Sequence, residues 1–131
     1  MNDKVGDLNA GTDTLIDWNI LLDEKGGPNH VGNFCDAPMM YDTKNGVLHK
    51  KLSLDYIGHF SKAIKPGAVR VGVSCFDKSI EATAARNSDG SIAIVLLNPT
   101  ESEVSAFLRH DGKCYPFTLP AKGIMTCMEE R

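Results

Sequence analysis

The second half of the chain is a series of short apolar segments separated by turn-forming residues. Val69 to Cys75 alternates between apolar and polar positions, and the later turns include Asn87-Ser88-Asp89-Gly90 and His110-Asp111-Gly112. Short segments that recur about every 8 to 12 residues are typical of an antiparallel β-sandwich or barrel. The further predicted strands are Ile80 to Arg86, Ser91 to Leu97, Val104 to Arg109, Cys114 to Leu119 and Gly123 to Met128. Ser91 to Leu97 is apolar on both faces, which favours a central strand.

The first half has a less regular pattern. Thr14 to Leu22 is rich in strand-forming residues and too short for a stable helix, so we predict a buried strand that runs into a loop. The Asn45-Gly46 pair predicts a tight hairpin turn between two extended segments, Met39 to Tyr41 and Val47 to His49.

One amphipathic helix is predicted between these two halves. Apolar residues recur there at helical spacing and therefore share one face: Leu52, Tyr56, Ile57, Phe60, Ala63 and Ile64. Ser53 suits a cap at the start, and Pro66-Gly67 ends the helix. We place a domain boundary there, which divides the chain into residues 1–65 and 66–131.

Composition and charge exclude several classes of protein. The net charge of -3 comes from 14 basic and 17 acidic residues without long runs of one sign, so we expect no nucleic-acid partner. The longest apolar runs are far shorter than the roughly 20 residues of a membrane-spanning helix, so no transmembrane segment is expected. The four cysteines lack metal-ligand spacing, and we predict reduced, structural thiols, while their spacing leaves a disulfide in an oxidising compartment open.

The size of the predicted sheet region argues for truncation. About 60 residues bury only about 60% of their unfolded surface, which makes such a sandwich marginal on its own. A single strand, loop and helix that lead into it do not form a self-contained domain. The sequence therefore predicts that further structure packs against this chain.

Few residues are candidates for chemistry. The four histidines occur singly, and the chain has no nucleophile elbow or phosphate-binding loop. Glycoside cleavage needs paired carboxyl groups, but each glutamate lies in a position that suits a solvated side chain. Trp18 between Asp17 and Asn19 could stack on a sugar or fill a core, and Asn33 beside Phe34 could bind a ligand or stabilise a turn.

An ordered series of motifs resembles glycoside hydrolase family 30, in its glucosylceramidase branch. The motifs are Asp17-Trp18-Asn19-Ile20-Leu21-Leu22-Asp23, Gly26-Gly27-Pro28-Asn29, Asn33-Phe34-Cys35-Asp36-Ala37-Pro38, Gly58-His59-Phe60-Ser61-Lys62, Pro66-Gly67 and Arg70-Val71-Gly72. The resemblance implies a mainly β fold: a C-terminal antiparallel β-sandwich preceded by the last strand-loop-helix unit of a (β/α)8 barrel. It also implies a role in carbohydrate and sphingolipid metabolism.

The resemblance also assigns residues to a sugar site. Trp18 matches the tryptophan that lines the glucose pocket, Asn33 matches an asparagine beside it, Asp17 supports this wall, and Phe34 lies on the aglycone side. The catalytic glutamates of the family lie at the ends of earlier barrel strands, and no glutamate here matches either. We therefore expect a β-glucoside as the ligand of the full-length enzyme, no metal or cofactor, no catalytic residue in this chain, and no turnover by it alone.

Two other classes of function stay open on sequence grounds. A small carbohydrate-binding sandwich would present an aromatic platform on its sheet, whereas the alternation of Phe76, Phe107, Tyr115 and Phe117 suggests core filling. An interaction protein would pair through its exposed strand edges, so we expect self-association of the chain.

Overall fold

A computed structural model describes residues 3–27, 32 and 34–129. In chain order its elements are α1 (Asp3–Asn9), β1 (Leu21–Asp23), β2 (Met39–Asp42), β3 (Val47–Lys50), α2 (Leu52–Ser61), β4 (Val69–Val71), β5 (Glu81–Arg86), β6 (Ile92–Leu97), β7 (Val104–His110), β8 (Lys113–Leu119) and β9 (Ile124–Glu129). They form two compact units: the sandwich unit, made of the described residues up to 13 and from 59 onwards, and the middle unit, 14–58.

The sandwich unit consists of two antiparallel sheets. One has four strands in the order β4-β5-β6-β9, and the other is the hairpin β7-β8. Apolar side chains fill the space between the sheets because alternate strand positions point to the same face. The buried members of this core are Ile80, Ala82, Ala84, Ile94, Leu96 and Leu119. The predicted sandwich is confirmed, and so is the central position of β6.

The four-stranded sheet is also buried on its other face. Thr83, Ala93 and Val95 are almost inaccessible there, at 0 to 1% exposure. Helix α1 contacts β5 in this unit, where Asn9 Nδ2 donates a hydrogen bond to the Ala82 carbonyl at 2.9 Å. Its seven residues form too short a helix to be stable alone, so tertiary contacts stabilise it and no sequence pattern predicted it.

The middle unit contains a three-stranded sheet. Strand β1 pairs in parallel with β2, and β2 pairs antiparallel with β3. The predicted hairpin turn is confirmed: the Gly46 amide donates to the Asp42 carbonyl at 2.9 Å, and Gly46 has a φ of 70°. That left-handed conformation explains why glycine follows Asn45.

Two local predictions in the first half were wrong. The strand predicted over 14–22 is reduced to Leu21–Asp23, and Ile16 is 92% exposed instead of buried. A strand requires hydrogen-bonded neighbours, and in the described part of the chain β1 has only β2. Helix α2 begins before Ser53, which lies inside its first turn and is not its cap.

The four cysteines are free thiols and differ in burial, so the prediction of structural thiols does not fit all of them. Cys75 and Cys114 are exposed, whereas Cys35 and Cys127 are partly buried. Burial raises the pKa of the Cys127 thiol, which favours its protonated form.

Candidate functional site

The only tryptophan of the chain is exposed. Trp18 lies in the irregular segment ahead of β1, and 68% of its surface is accessible. A carboxylate oxygen of Asp17 accepts a hydrogen bond from the Trp18 backbone amide at 2.9 Å. In this chain the indole therefore has an open face on which a sugar ring could stack, and it does not fill a core.

Apolar side chains flank Trp18 at alternate positions. Ile16 is 92% exposed and Ile20 is 62% exposed, with Asp17 and Asn19 between the apolar residues. Within this segment the sequence reasoning assigned Trp18 and Asp17 to the site and placed Ile16 and Ile20 in a buried strand. The alternation of apolar and polar residues over 16–20 was the signal for this exposed strip, since it indicates a segment with two different faces.

The second predicted part of the site lies on the loop after the Gly26-Gly27 turn. Phe34 is 81% exposed there, while Asn33 lies outside the described residues. Gly26 has a φ of 77°, and a Cβ atom at this position would lie 2.5 Å from the backbone nitrogen of Cys35. Only glycine fits, so this motif allows the turn to pack directly against the backbone of the loop.

Side-chain hydrogen bonds fix the same turn. One Asp23 carboxylate oxygen accepts from the backbone amides of Lys25 at 3.0 Å and Gly27 at 2.9 Å. After the turn, the Lys51 ammonium group hydrogen-bonds Asp36 and holds the pKa of that carboxyl below its usual value. The loop that carries Phe34 is thus bounded by a structural turn on one side and an ion pair on the other.

The structure brings some predicted site residues together but not all. Asp17 and Trp18 are joined by the hydrogen bond above, and the Gly26 turn contacts the Phe34 and Cys35 backbone. The indole and the Phe34 ring are both exposed, and each lies in the middle unit. Both rings therefore present apolar surface.

The glutamates with described partners have structural roles. Glu24 accepts hydrogen bonds from the Thr43 amide at 3.0 Å and hydroxyl at 2.6 Å, which lower its pKa. A glycosidase general acid needs the opposite shift, to a raised pKa. In the sandwich unit, Glu101 pairs with Lys122 at 2.8 Å and Glu129 with His110 at 2.6 Å. Among the described residues no cluster of three metal-ligating side chains occurs.

A second concave surface lies within the sandwich unit. It is a groove of about 810 Å³ between the sheets, lined mainly by apolar side chains of β5, β6 and β7 and by residues 72–77. Phe76 and Phe107 border it and are 99% and 73% exposed. Its polar lining residues are few and include Asp77, Arg86, Arg109 and His110.

The aromatic residues of the sheet region do not form a shared platform. Phe107 pairs with Pro116, and Tyr115 pairs with Leu108, so the two rings lie on opposite faces of the hairpin. Phe117 packs against the core, as predicted, but Phe76, Phe107 and Tyr115 are exposed, and the core-filling interpretation was wrong for these three. This arrangement does not favour a carbohydrate-binding module.

Comparison with protein families gives two adjacent matches. The model described as the glycosyl hydrolase family 30 TIM-barrel domain matches residues 1–64. The model described as the glycosyl hydrolase family 30 beta sandwich domain matches residues 67–127. The two matched segments meet between Ile64 and Gly67.

Individual relatives agree with these family matches. The chain is 35% identical to glucosylceramidase 1 of Caenorhabditis elegans, over 95% of this chain and 25% of that protein. It is 37% identical to the lysosomal acid glucosylceramidase of Mus musculus, over 67% of this chain and 17% of that protein. The chain thus spans a quarter or less of the length of these relatives.

Among solved structures, SrfJ from Salmonella typhimurium has a similar fold. It superposes with a TM-score of 0.94 at 36% sequence identity, and the match covers 98% of this chain and 29% of that structure. Within the residues that the structure describes, no helix is long and apolar enough to cross a membrane.

Proposed function

Because the chain belongs to glycosyl hydrolase family 30, we propose that it is the C-terminal part of a retaining β-glycosidase of the glucosylceramidase type. In this proposal, residues 1–65 supply the last β/α unit of the barrel and residues 66–131 supply the accessory sandwich. The chain contributes one wall of the sugar pocket and is inactive alone. The ligand of the complete enzyme is a β-glucoside or a related glycan.

The exposure of Trp18 is the observation that supports a pocket wall. An indole with 68% of its surface accessible is costly to leave in water, and a sugar ring covers such a face well. The segment around Trp18 belongs to the part of the chain that matches the barrel domain, the type of domain that carries the active site in barrel enzymes. Asp17 would hold the backbone of this segment, and Asn33 and Phe34 would complete the wall.

The reaction itself requires groups from elsewhere in the enzyme. A retaining glycosidase uses two carboxyl groups about 5 to 5.5 Å apart, one as nucleophile and one as acid/base. In the proposal this chain orients the sugar, so that its anomeric carbon faces the nucleophile supplied by the remainder of the barrel. Such orientation accelerates the reaction but cannot replace the nucleophile.

We expect the purified chain to release no glucose from glucosylceramide or from an aryl β-glucoside. The reason is the missing carboxyl pair, and glucose release measured by a coupled assay against a buffer blank checks it. Release by the wild-type chain that is lost in the Trp18→Ala variant would contradict the proposal that the chain is inactive alone. If glucose release persists in that variant, further purification shows whether the activity belongs to the chain. Activity that co-purifies with the chain would also contradict the proposal.

A chimera tests the positive part of the proposal. In glucosylceramidase 1 of Caenorhabditis elegans, the quarter that this chain matches would be replaced by the chain itself. We expect hydrolysis of glucosylceramide, and a kcat/KM reduced about tenfold by Trp18→Ala, because about 1.4 kcal/mol of stacking is lost. Ile16→Ala is the matched control, since it removes a still more exposed apolar side chain from the same segment. Equal effects of the two variants would contradict a specific role for Trp18.

We also propose that the isolated chain self-associates. Within the part of the chain that the structure describes, β4 and β9 are the outer strands of the four-stranded sheet, and each strand of the β7-β8 hairpin has one edge without a neighbouring strand. Unpaired edges next to exposed apolar side chains such as Phe107 favour pairing with another copy. Light scattering after gel filtration should show dimers or larger species that increase with concentration, and a monomer at every concentration would contradict this.

A further inference from the structure

The turn between β5 and β6 meets the backbone that follows helix α2. The side chain of Asn87 is nearly inaccessible, with 3% exposure. Its Nδ2 donates to the Ala63 carbonyl at 3.0 Å, and its Oδ1 accepts from the Lys65 amide at 2.9 Å. Ala63 lies two residues beyond Ser61, the last residue of α2, so its carbonyl has no partner within the helix. A buried backbone carbonyl needs a hydrogen-bond donor, and here a residue 24 positions later in the chain supplies it.

Hydrogen bonds within the turn itself fix its conformation. The Asn87 amide donates to the Ser91 carbonyl at 2.8 Å, and Asn87 Nδ2 also donates to Ser91 Oγ at 3.0 Å. Asp89 accepts from the Ser91 amide and hydroxyl at 3.0 and 2.6 Å, and it pairs with Lys65 at 2.6 Å. The Asp89–Lys65 pair is half exposed and contributes little energy. The buried amide of Asn87 is therefore the stronger connection.

A second connection joins α2 to β9. His59 Nδ1 lies 2.9 Å from Thr126 Oγ1, and that hydroxyl is 3.2 Å from the His59 carbonyl. Thr126 pairs with Val95 of the central strand β6, and the side chain of Val95 is fully buried. The end of α2 is thus attached to the four-stranded sheet at two points that are far apart in sequence.

We propose that Asn87 and Thr126 form a junction lock, in which the sandwich stabilises the last turn of helix α2 and the backbone up to Lys65. The last residues of α2, from His59, lie in the sandwich unit, although the matched family domains meet after Ile64. The helix end then unfolds with the sandwich and not independently. The inference does not depend on the catalytic role proposed above.

Asn98 offers a matched control for Asn87. It is also a buried asparagine that follows a strand of the same sheet, but its described side-chain hydrogen bonds go to residues 100–120 and none goes to α2. Replacing either residue with alanine removes a buried amide from the sandwich. Only Asn87→Ala removes a bond to the helix end.

Hydrogen exchange of the full chain separates the two cases. In Asn87→Ala we expect the Ala63, Ile64 and Lys65 amides to exchange about tenfold faster relative to the Val95 amide than in the wild type, because the helix end opens locally. In Asn98→Ala that ratio should not change. The same change of ratio in both variants, or no change in Asn87→Ala, would overturn the lock.

A second variant is available if Asn87→Ala does not fold. Thr126→Val keeps the shape of the side chain and removes the hydroxyl that contacts His59. We expect it to raise exchange at residues 60–64 relative to Val95 and to leave the Gly90 amide, which donates to the Asn87 carbonyl, unchanged. Unchanged exchange at residues 60–64 in this variant would overturn the proposal.

Discussion

Asn98→Ala is expected to lower the free energy of unfolding of the sandwich unit by about 3 kcal/mol. Asn98 is fully buried, with 0% exposure. Its Nδ2 donates to the carbonyls of Ser102 at 2.8 Å and Pro120 at 2.9 Å, and its Oδ1 accepts from the Thr100 amide at 2.9 Å. Its Nδ2 also lies 3.3 Å from the carbonyl of Leu119, in a buried contact. Alanine removes the partner of all these backbone groups, and a buried group left without a partner costs about 1 to 3 kcal/mol.

Urea denaturation followed by far-ultraviolet circular dichroism is the appropriate measurement. Tryptophan fluorescence reports on the middle unit, because Trp18 lies there. Ser105→Ala is the control: it removes an exposed hydroxyl that bonds Thr118 at 2.9 Å in the same sandwich, and a change within about 0.5 kcal/mol is expected. A similarly small change in the free energy of unfolding of Asn98→Ala would contradict the prediction. It would mean that other groups satisfy the hydrogen bonds of this turn.

Leu119→Ala should also destabilise the sandwich by about 3 kcal/mol. Leu119 is 1% exposed and is the hairpin residue at the centre of the core between the sheets. Removing its isobutyl group loses transfer free energy and leaves a cavity, since β7-β8 is fixed by strand pairing and cannot collapse freely onto the other sheet.

The same hairpin provides the control for this variant. Phe107→Ala deletes a larger side chain, but Phe107 is 73% exposed, so its loss should cost less than about 1 kcal/mol. Urea midpoints of the two variants, measured at a concentration where the wild type is monomeric, give the comparison. A cost for Phe107→Ala that equals the cost for Leu119→Ala would show that Phe107 contributes as much to stability as the core residue.

The strands of the second half could be predicted from sequence because their signals are local. Turn residues such as Asn87 to Gly90 and the apolar run of β6 specify where the chain reverses and which segment is covered on both faces. The predicted strands therefore agree with the observed ones within one residue, except that β4 is shorter. Helix α1 was missed because its stability depends on contact with β5.

The candidate site could be predicted only in part from the sequence. Trp18 was identified from its polar neighbours and the family resemblance, but its exposure could not be derived from composition, because a lone tryptophan is more often part of a core. The role of Asn87 gave no local signal beyond that of a turn residue. Its partners, Ala63 and Lys65, become neighbours only when the sheet has formed.

The sequence by itself determined the family, the order of strands and the absence of a glutamate that matches a catalytic motif, because these depend on residue types and on spacing along the chain. Only the tertiary structure decided that Trp18 is exposed and that the end of α2 is attached to Asn87 and Thr126. The physical reason is that burial and long-range hydrogen bonds depend on which distant segments pack together. The residues of one segment do not specify the segment against which it packs.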